Sequence, residues 1–183
     1  MTTEAISNEV KRLLHIYHER DPYELCSAMN ILMTESPMGT YEGACKGFCM
    51  KMFKQRIITV NSDLSKALQR IIVAHELGHY ILHDDVLSVQ AFHEFTLFDM
   101  TLKTEYEANI FAAELLLPDD VVLEKLNDDI SFFGAAAELC IPPELLDFKF
   151  RTLKRRGYKV IDPPLMCQSN WLRNAKDGEA NGN

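Results

Sequence analysis

From Arg70 to His83 apolar residues recur at helical spacing, and set into that stripe is His75-Glu76-Leu77-Gly78-His79. Two histidines four apart lie one above the other on a single helix face, so both imidazoles can reach one zinc ion at about 2.0–2.1 Å. Glu76, one residue along, comes close enough to meet a water at the metal without being a ligand. Leu68, Ile71, Ile72, His75, His79 and Leu82 share a face of a helix expected over 64–83, with Asn61-Ser62-Asp63 supplying its cap. A chain that must hold two imidazoles on an apolar helix face has to assemble its other elements around that face. Gly78 sharpens the constraint, because a glycine inside a helix costs about 1 kcal/mol relative to alanine and marks a place where another element approaches closely.

A catalytic zinc needs a third protein ligand and one open position. His83, His93, Glu94, Glu105 and Glu107 are the available side chains. His83 continues the stripe, but at about 1.5 Å per residue its backbone lies about 12 Å along the axis from His75. Its competing role is that of a hydrogen-bonding histidine at the carbonyl end of the helix. Glu105 opens a second helical stretch that runs from Thr104 to Pro118, and a carboxylate from a separate element can complete a tetrahedral face. Asn109, four residues on, lies on the same side and can hold a ligand's far atom. Glu107 is the rival, although Thr104-x-x-Glu107 has the form of a capping box, which would give it a structural task. A hydrolytic oxyanion wants a further donor, for which His93, Tyr80, Tyr106 and Tyr41 are available.

The surroundings of this pair read as mostly helical. Helices are expected over 4–20 and 22–33, separated by Asp21-Pro22, and later over 119–127, 130–139 and 143–156, the last opened by Pro142-Pro143 and closed by Gly157. Two apolar stretches, Cys45 to Phe53 and Arg56 to Val60, read as a hairpin. An extended partner would add to an exposed edge of that small sheet. Residues 84–100 read as a loop. With 183 residues, 47% of them hydrophobic, one domain over 1–164 is expected, followed by a flexible tail over 165–183 to which Trp171-Leu172 could add a docking point.

Nineteen basic against 27 acidic side chains leave a net charge of −8, which provides no electrostatic footprint for nucleic acid. No signal-like start and no apolar run of about 18 residues is present, so a cytoplasmic protein without membrane contact is expected. Five scattered cysteines fit a reducing compartment. Cys45 and Cys49 are expected as small apolar residues on one strand face, with a metal or redox pair as the alternative. Charge is also segregated: 98–129 holds nine acids against two bases, and 145–159 six bases against one acid. Solvated helix faces account for this, or else the acidic surface attracts a basic partner and the basic helix guides another.

The strings Ala74-His-Glu-Leu-Gly-His-Tyr-Ile-Leu-His83 and Glu105-Tyr-Glu-Ala-Asn-Ile-Phe-Ala-Ala-Glu-Leu-Leu-Leu-Pro118 together resemble the ImmA/IrrE family of metallopeptidases, a likeness extending over about residues 20–160. The resemblance implies an α+β, zincin-like fold of the minimal gluzincin type, mainly helical with a small antiparallel sheet packed on the active-site helix. It also implies His75, His79 and Glu105 as ligands of one Zn2+, with Glu76 as the catalytic carboxylate. Mn2+ or Fe2+ suits the same donors. The implied substrate is a helix-turn-helix repressor of a mobile element or prophage, here a separate polypeptide. Pro142-Pro143 departs from the family's less rigid turn. A regulatory protein that sequesters a transcription factor on the same scaffold is the alternative, and the oligomeric state is open.

Overall fold

A computed structural model describes residues 1–52, 54–84, 103–127 and 130–160. Within them the elements follow in the order α1 Thr3–Tyr17, α2 Pro22–Ala28, β1 Ile31–Ser36, β2 Gly47–Met52, β3 Gln55–Asn61, α3 Lys66–Leu82, α4 Lys103–Leu116, α5 Asp119–Asn127, α6 Phe132–Glu138 and α7 Pro143–Arg155. This is the α+β, mainly helical architecture expected. The 85–102 part of the anticipated loop and the tail over 165–183 lie outside the described residues.

Local chemistry accounts for most of the helix ends. The Asp21 carboxylate accepts from the backbone N–H groups of Tyr23 and Glu24, with Pro22 in the first turn of α2. Ser131 caps α6 by accepting from Gly134 N–H. The α3 cap is Ser65, which accepts from Leu68 N–H, and not the Asn61-Ser62-Asp63 run. That run is occupied by the loop before β2: Asn61 donates to the carbonyls of Gly39 and Cys45 and accepts from Met38 and Asp63 N–H. Helix α4 starts at Lys103, so Thr104 and Glu107 lie inside it and form no capping box.

The expected helix over 22–33 is half as long as its sequence suggested. It ends at Ala28, Asn30 takes a left-handed backbone (φ 55°), and Ile31–Ser36 becomes a strand. That strand pairs in parallel with β3 from Ile31↔Arg56 to Ser36↔Asn61, while β2 pairs antiparallel from Gly47↔Val60 to Met52↔Gln55. The sheet, ordered β1-β3-β2, is therefore mixed and not antiparallel. A parallel partner brings its pairing residues from about two dozen positions away, beyond the reach of local patterning. Cys49 is buried in β2, whereas Cys45 precedes the strand, so the two do not share a strand face.

Helix α3 is the axis of the molecule, with every residue from Ile71 to Tyr80 buried between the sheet and α4. On the sheet side a Cβ at Gly47 would come within 2.6 Å of the Ile72 side chain and 3.0 Å of the Thr59 carbonyl. On the α4 side a Cβ at Gly78 would meet Cβ and Cγ of Phe111 at 3.2 Å. The close approach foreshadowed by Gly78 is thus that of α4, and it sets the spacing across which the two helices face each other.

Part of the segregated charge is neutralised within the protein, by Glu114 and Asp119 of the acidic stretch and Lys149 and Arg156 of the basic one. Lys149, 1% exposed, pairs with Glu114 at 2.8 Å and Asp119 at 2.5 Å, and Arg156 pairs with the same two carboxylates. Thr152 also donates to Glu114 at 2.6 Å. These members of the acidic and basic stretches are not available for an external partner, and their pairing ties α7 to α4 and α5. Among the described residues no helix is long and apolar enough to cross a membrane.

Candidate metal centre

The α3–α4 contact brings three donor side chains to one point. His75 and His79 project from successive turns of α3, and their Nε2 atoms lie 3.1 Å apart. Glu105, in the first turn of α4, places Oε2 at 3.1 Å from His75 Nε2 and Oε1 at 3.3 Å from His79 Nε2. Among the described residues this is the one cluster of histidine, cysteine or carboxylate donors able to hold a metal ion, and all three members are buried.

The donors suit a tetrahedral divalent ion. Ligands about 2.0–2.1 Å from a tetrahedral zinc stand about 3.3–3.4 Å from one another, close to the edges measured here. Glu105 Oε1 is buried and has no hydrogen-bond partner of good geometry, as expected for an atom whose lone pair is aimed at a cation. Burial works against charge on His75, but the Glu105 carboxylate outweighs it and raises the imidazole's pKa. Burial likewise opposes the Glu105 anion, yet its contacts with His75 and His79 hold its carboxyl well below the usual range. A carboxylate kept ionised at 1% exposure is one that needs a positive partner.

Glu76 is also buried, and its Oε1 has no hydrogen-bond partner. Burial pushes its pKa up, against the opposing pull of His75 and His79 and of the Cys49 thiol on β2. Asn109 Oδ1 lies 2.9 Å from His75 Nδ1, on the far side of that ring from the donor cluster. An amide oxygen there accepts a hydrogen bond from a protonated Nδ1, a tautomer in which the Nε2 lone pair is left for a metal.

The remaining sequence candidates fall elsewhere. The Tyr80 hydroxyl is spent on the sheet: it accepts from Ile57 N–H at 3.0 Å and shares its proton between the carbonyls of Ile57 and Met50. It staples α3 to the strands, with its proton directed at the sheet carbonyls. Tyr106 packs on Phe148, with ring centroids 5.7 Å apart. Tyr41 is 69% exposed in the loop before β2. His93 and Glu94 lie outside the described residues. Glu107 stays out of the donor cluster and pairs with His83 at 3.0 Å, a contact missed by sequence reasoning although the His79–His83 spacing of four hinted at a continued stripe.

Comparison with known proteins agrees with this geometry. The family model described as the IrrE N-terminal-like domain, peptidase family M78, matches residues 26–151. An uncharacterized immunity region protein 2 of Bacillus phage phi105 is 36% identical over 144 residues, 79% of this chain and 88% of that protein. The metallopeptidase ImmA of Bacillus subtilis (strain 168) is 28% identical over 150 residues, 81% of this chain and 85% of that protein.

Proposed function

Because the chain belongs to the IrrE N-terminal-like family of metallopeptidases, we propose that it is a zinc-dependent endopeptidase with His75, His79 and Glu105 as ligands and Glu76 as general base. The observation that carries this reading is the meeting of three buried donors at 3.1–3.3 Å beside a buried carboxylate with an unpartnered oxygen. Zinc in such a site supplies a Lewis acid for the peptide carbonyl and brings the acidity of water close to neutral pH. Glu76, made more basic by its burial, takes the proton of the attacking water and returns it to the leaving amine, so no acyl-enzyme is required. Asn109 keeps the His75 ring in its ligating tautomer. Mn2+ or Fe2+ would be accepted by the same donors.

The substrate we assign is a DNA-binding repressor of helix-turn-helix type, acted on in the cytoplasm as a separate polypeptide. The immunity-region name of the phage relative and the metallopeptidase name of the Bacillus subtilis relative support this assignment. The test is Glu76→Gln, which keeps the shape of the side chain and removes the base. Zinc content measured by native mass is expected to match wild type, while cleavage of a repressor encoded beside the gene falls by about 10²–10⁴-fold. Full relief of repression by the glutamine variant, with no peptide product, would refute the peptidase reading in favour of sequestration.

A further inference from the structure

Behind each metal-ligand histidine stands a different support. His75 leans on the Asn109 amide, whereas His79 leans on a second histidine: its Nδ1 lies 3.3 Å from His83 Nδ1, and His83 Nε2 lies 3.0 Å from Glu107 Oε2. His83 ends α3 as its C-cap residue, and its N–H donates to the His79 carbonyl, so backbone and side chain both bind it to that residue. His83 and Glu107 are both buried.

We infer that Glu107 and His83 form a relay that sets the tautomer of His79, making them positioning residues for the metal centre. With His83 neutral, one proton arrangement makes hydrogen bonds of both contacts in the chain Glu107–His83–His79. A carboxylate only accepts, so Glu107 requires the His83 proton on Nε2. Neutral His83 then has a lone pair on Nδ1, which can only accept, and His79 must carry its own proton on Nδ1. The His79 Nε2 lone pair is thereby directed at His75 Nε2 and Glu105, toward the donor cluster. His83 Nδ1 meets His79 on the face of the ring opposite that cluster, so His83 supports the ligand and is not a fourth one. Glu107 is itself held from outside by the Met1 ammonium and by Lys103 at 3.7 Å.

This inference rests on the metallopeptidase reading, and the experiment separates the two. The apo full-length chain is titrated with zinc against a chelator of known affinity, for wild type, His83→Leu, His83→Asn and Glu107→Leu, with circular dichroism to verify folding. Asparagine carries Oδ1 the same number of bonds from Cα as histidine carries Nδ1, so it keeps the acceptor, whereas leucine keeps bulk alone. Loss of an outer partner of a metal-bound histidine weakens metal affinity about 10–100-fold, which is the expectation for His83→Leu; Glu107→Leu, one step further out, should lose about 3–10-fold and His83→Asn less than about threefold. In the zinc-loaded wild type, 15N resonances should place the His79 proton on Nδ1 and the His83 proton on Nε2. Wild type that takes up no zinc would sink both the metallopeptidase reading and the relay. Zinc-binding wild type with His83→Leu equally tight, or with His83→Asn as weak as His83→Leu, would overturn the relay alone. Should the His83 variants not fold, Glu107→Leu decides, since it removes the acceptor that a glutamine Oε1 would keep, and wild-type affinity in that variant would overturn the relay.

Discussion

Tyr80→Phe isolates one oxygen atom. The ring remains, and with it the packing against α3's neighbours and the Arg56 guanidinium 5.8 Å from the ring centroid. What disappears is the acceptor for Ile57 N–H and the donor shared by the carbonyls of Met50 and Ile57. The hydroxyl sits where β2 and β3 pair the half-buried Met50 and Ile57, on a side chain that is itself buried, so water does not easily replace it. A buried polar group left without a partner costs about 1–3 kcal/mol. A mid-range loss of about 2 kcal/mol lowers Tm by about 4–8 °C for a chain of this length. If the hydroxyl instead stabilised an oxyanion, its removal would leave Tm nearly unchanged and lower kcat by about 10²–10³-fold. Calorimetry beside cleavage kinetics at saturating substrate distinguishes the two, because the expected magnitudes fall in different observables. An unchanged Tm with a hundredfold loss of kcat would refute the stapling role and reinstate Tyr80 as a donor to the reaction.

The buried charge cluster yields two further expectations. Lys149→Met removes the more deeply buried of the two cations at Glu114 and Asp119 and leaves Glu114 with Arg156 and Thr152, and breaking a buried pair from one side costs about 3–5 kcal/mol, read from urea unfolding. The double variant Lys149→Met, Glu114→Gln should recover part of that loss, and a double variant weaker than the single would contradict the argument. Burial raises the Glu114 pKa, but Lys149, Thr152 and Arg156 outweigh it and leave the folded-state value lowered. A depressed carboxylate stabilises the fold above its unfolded pKa of about 4.3, and that stability drains away as pH falls through and below this value. Unfolding free energy measured from pH 6 to pH 3 should therefore fall more steeply for wild type than for Glu114→Gln, and parallel curves would count against the assignment.

Much of the site was legible before any fold was known, because its information is local. A spacing of four on an apolar helix stacks His75 on His79, and the same spacing sets Glu105 and Asn109 on one side of α4; no distant contact is needed to establish either. The hairpin of β2 and β3 and the starts of α2 and α7 follow likewise from neighbours in sequence, through strand patterning and the fixed φ of Pro22 and Pro143. Other features depend on which surface each element meets. Ile31–Ser36 carries apolar residues that suit a helix or a strand, and only β3 on its flank makes it a strand. Tyr80 and His79 are adjacent in sequence, yet one serves the sheet and the other the donor cluster, because α3 is sandwiched and its two sides face different partners. Glu107 looked like part of a capping box until helix α4 took in Thr104 and His83 arrived opposite Glu107. Periodicity thus determined which residues share a face of α3 and α4, while the packing of those helices on each other and on the sheet decided what each face does, since a hydrogen bond or an ion pair exists only once its second partner is in place.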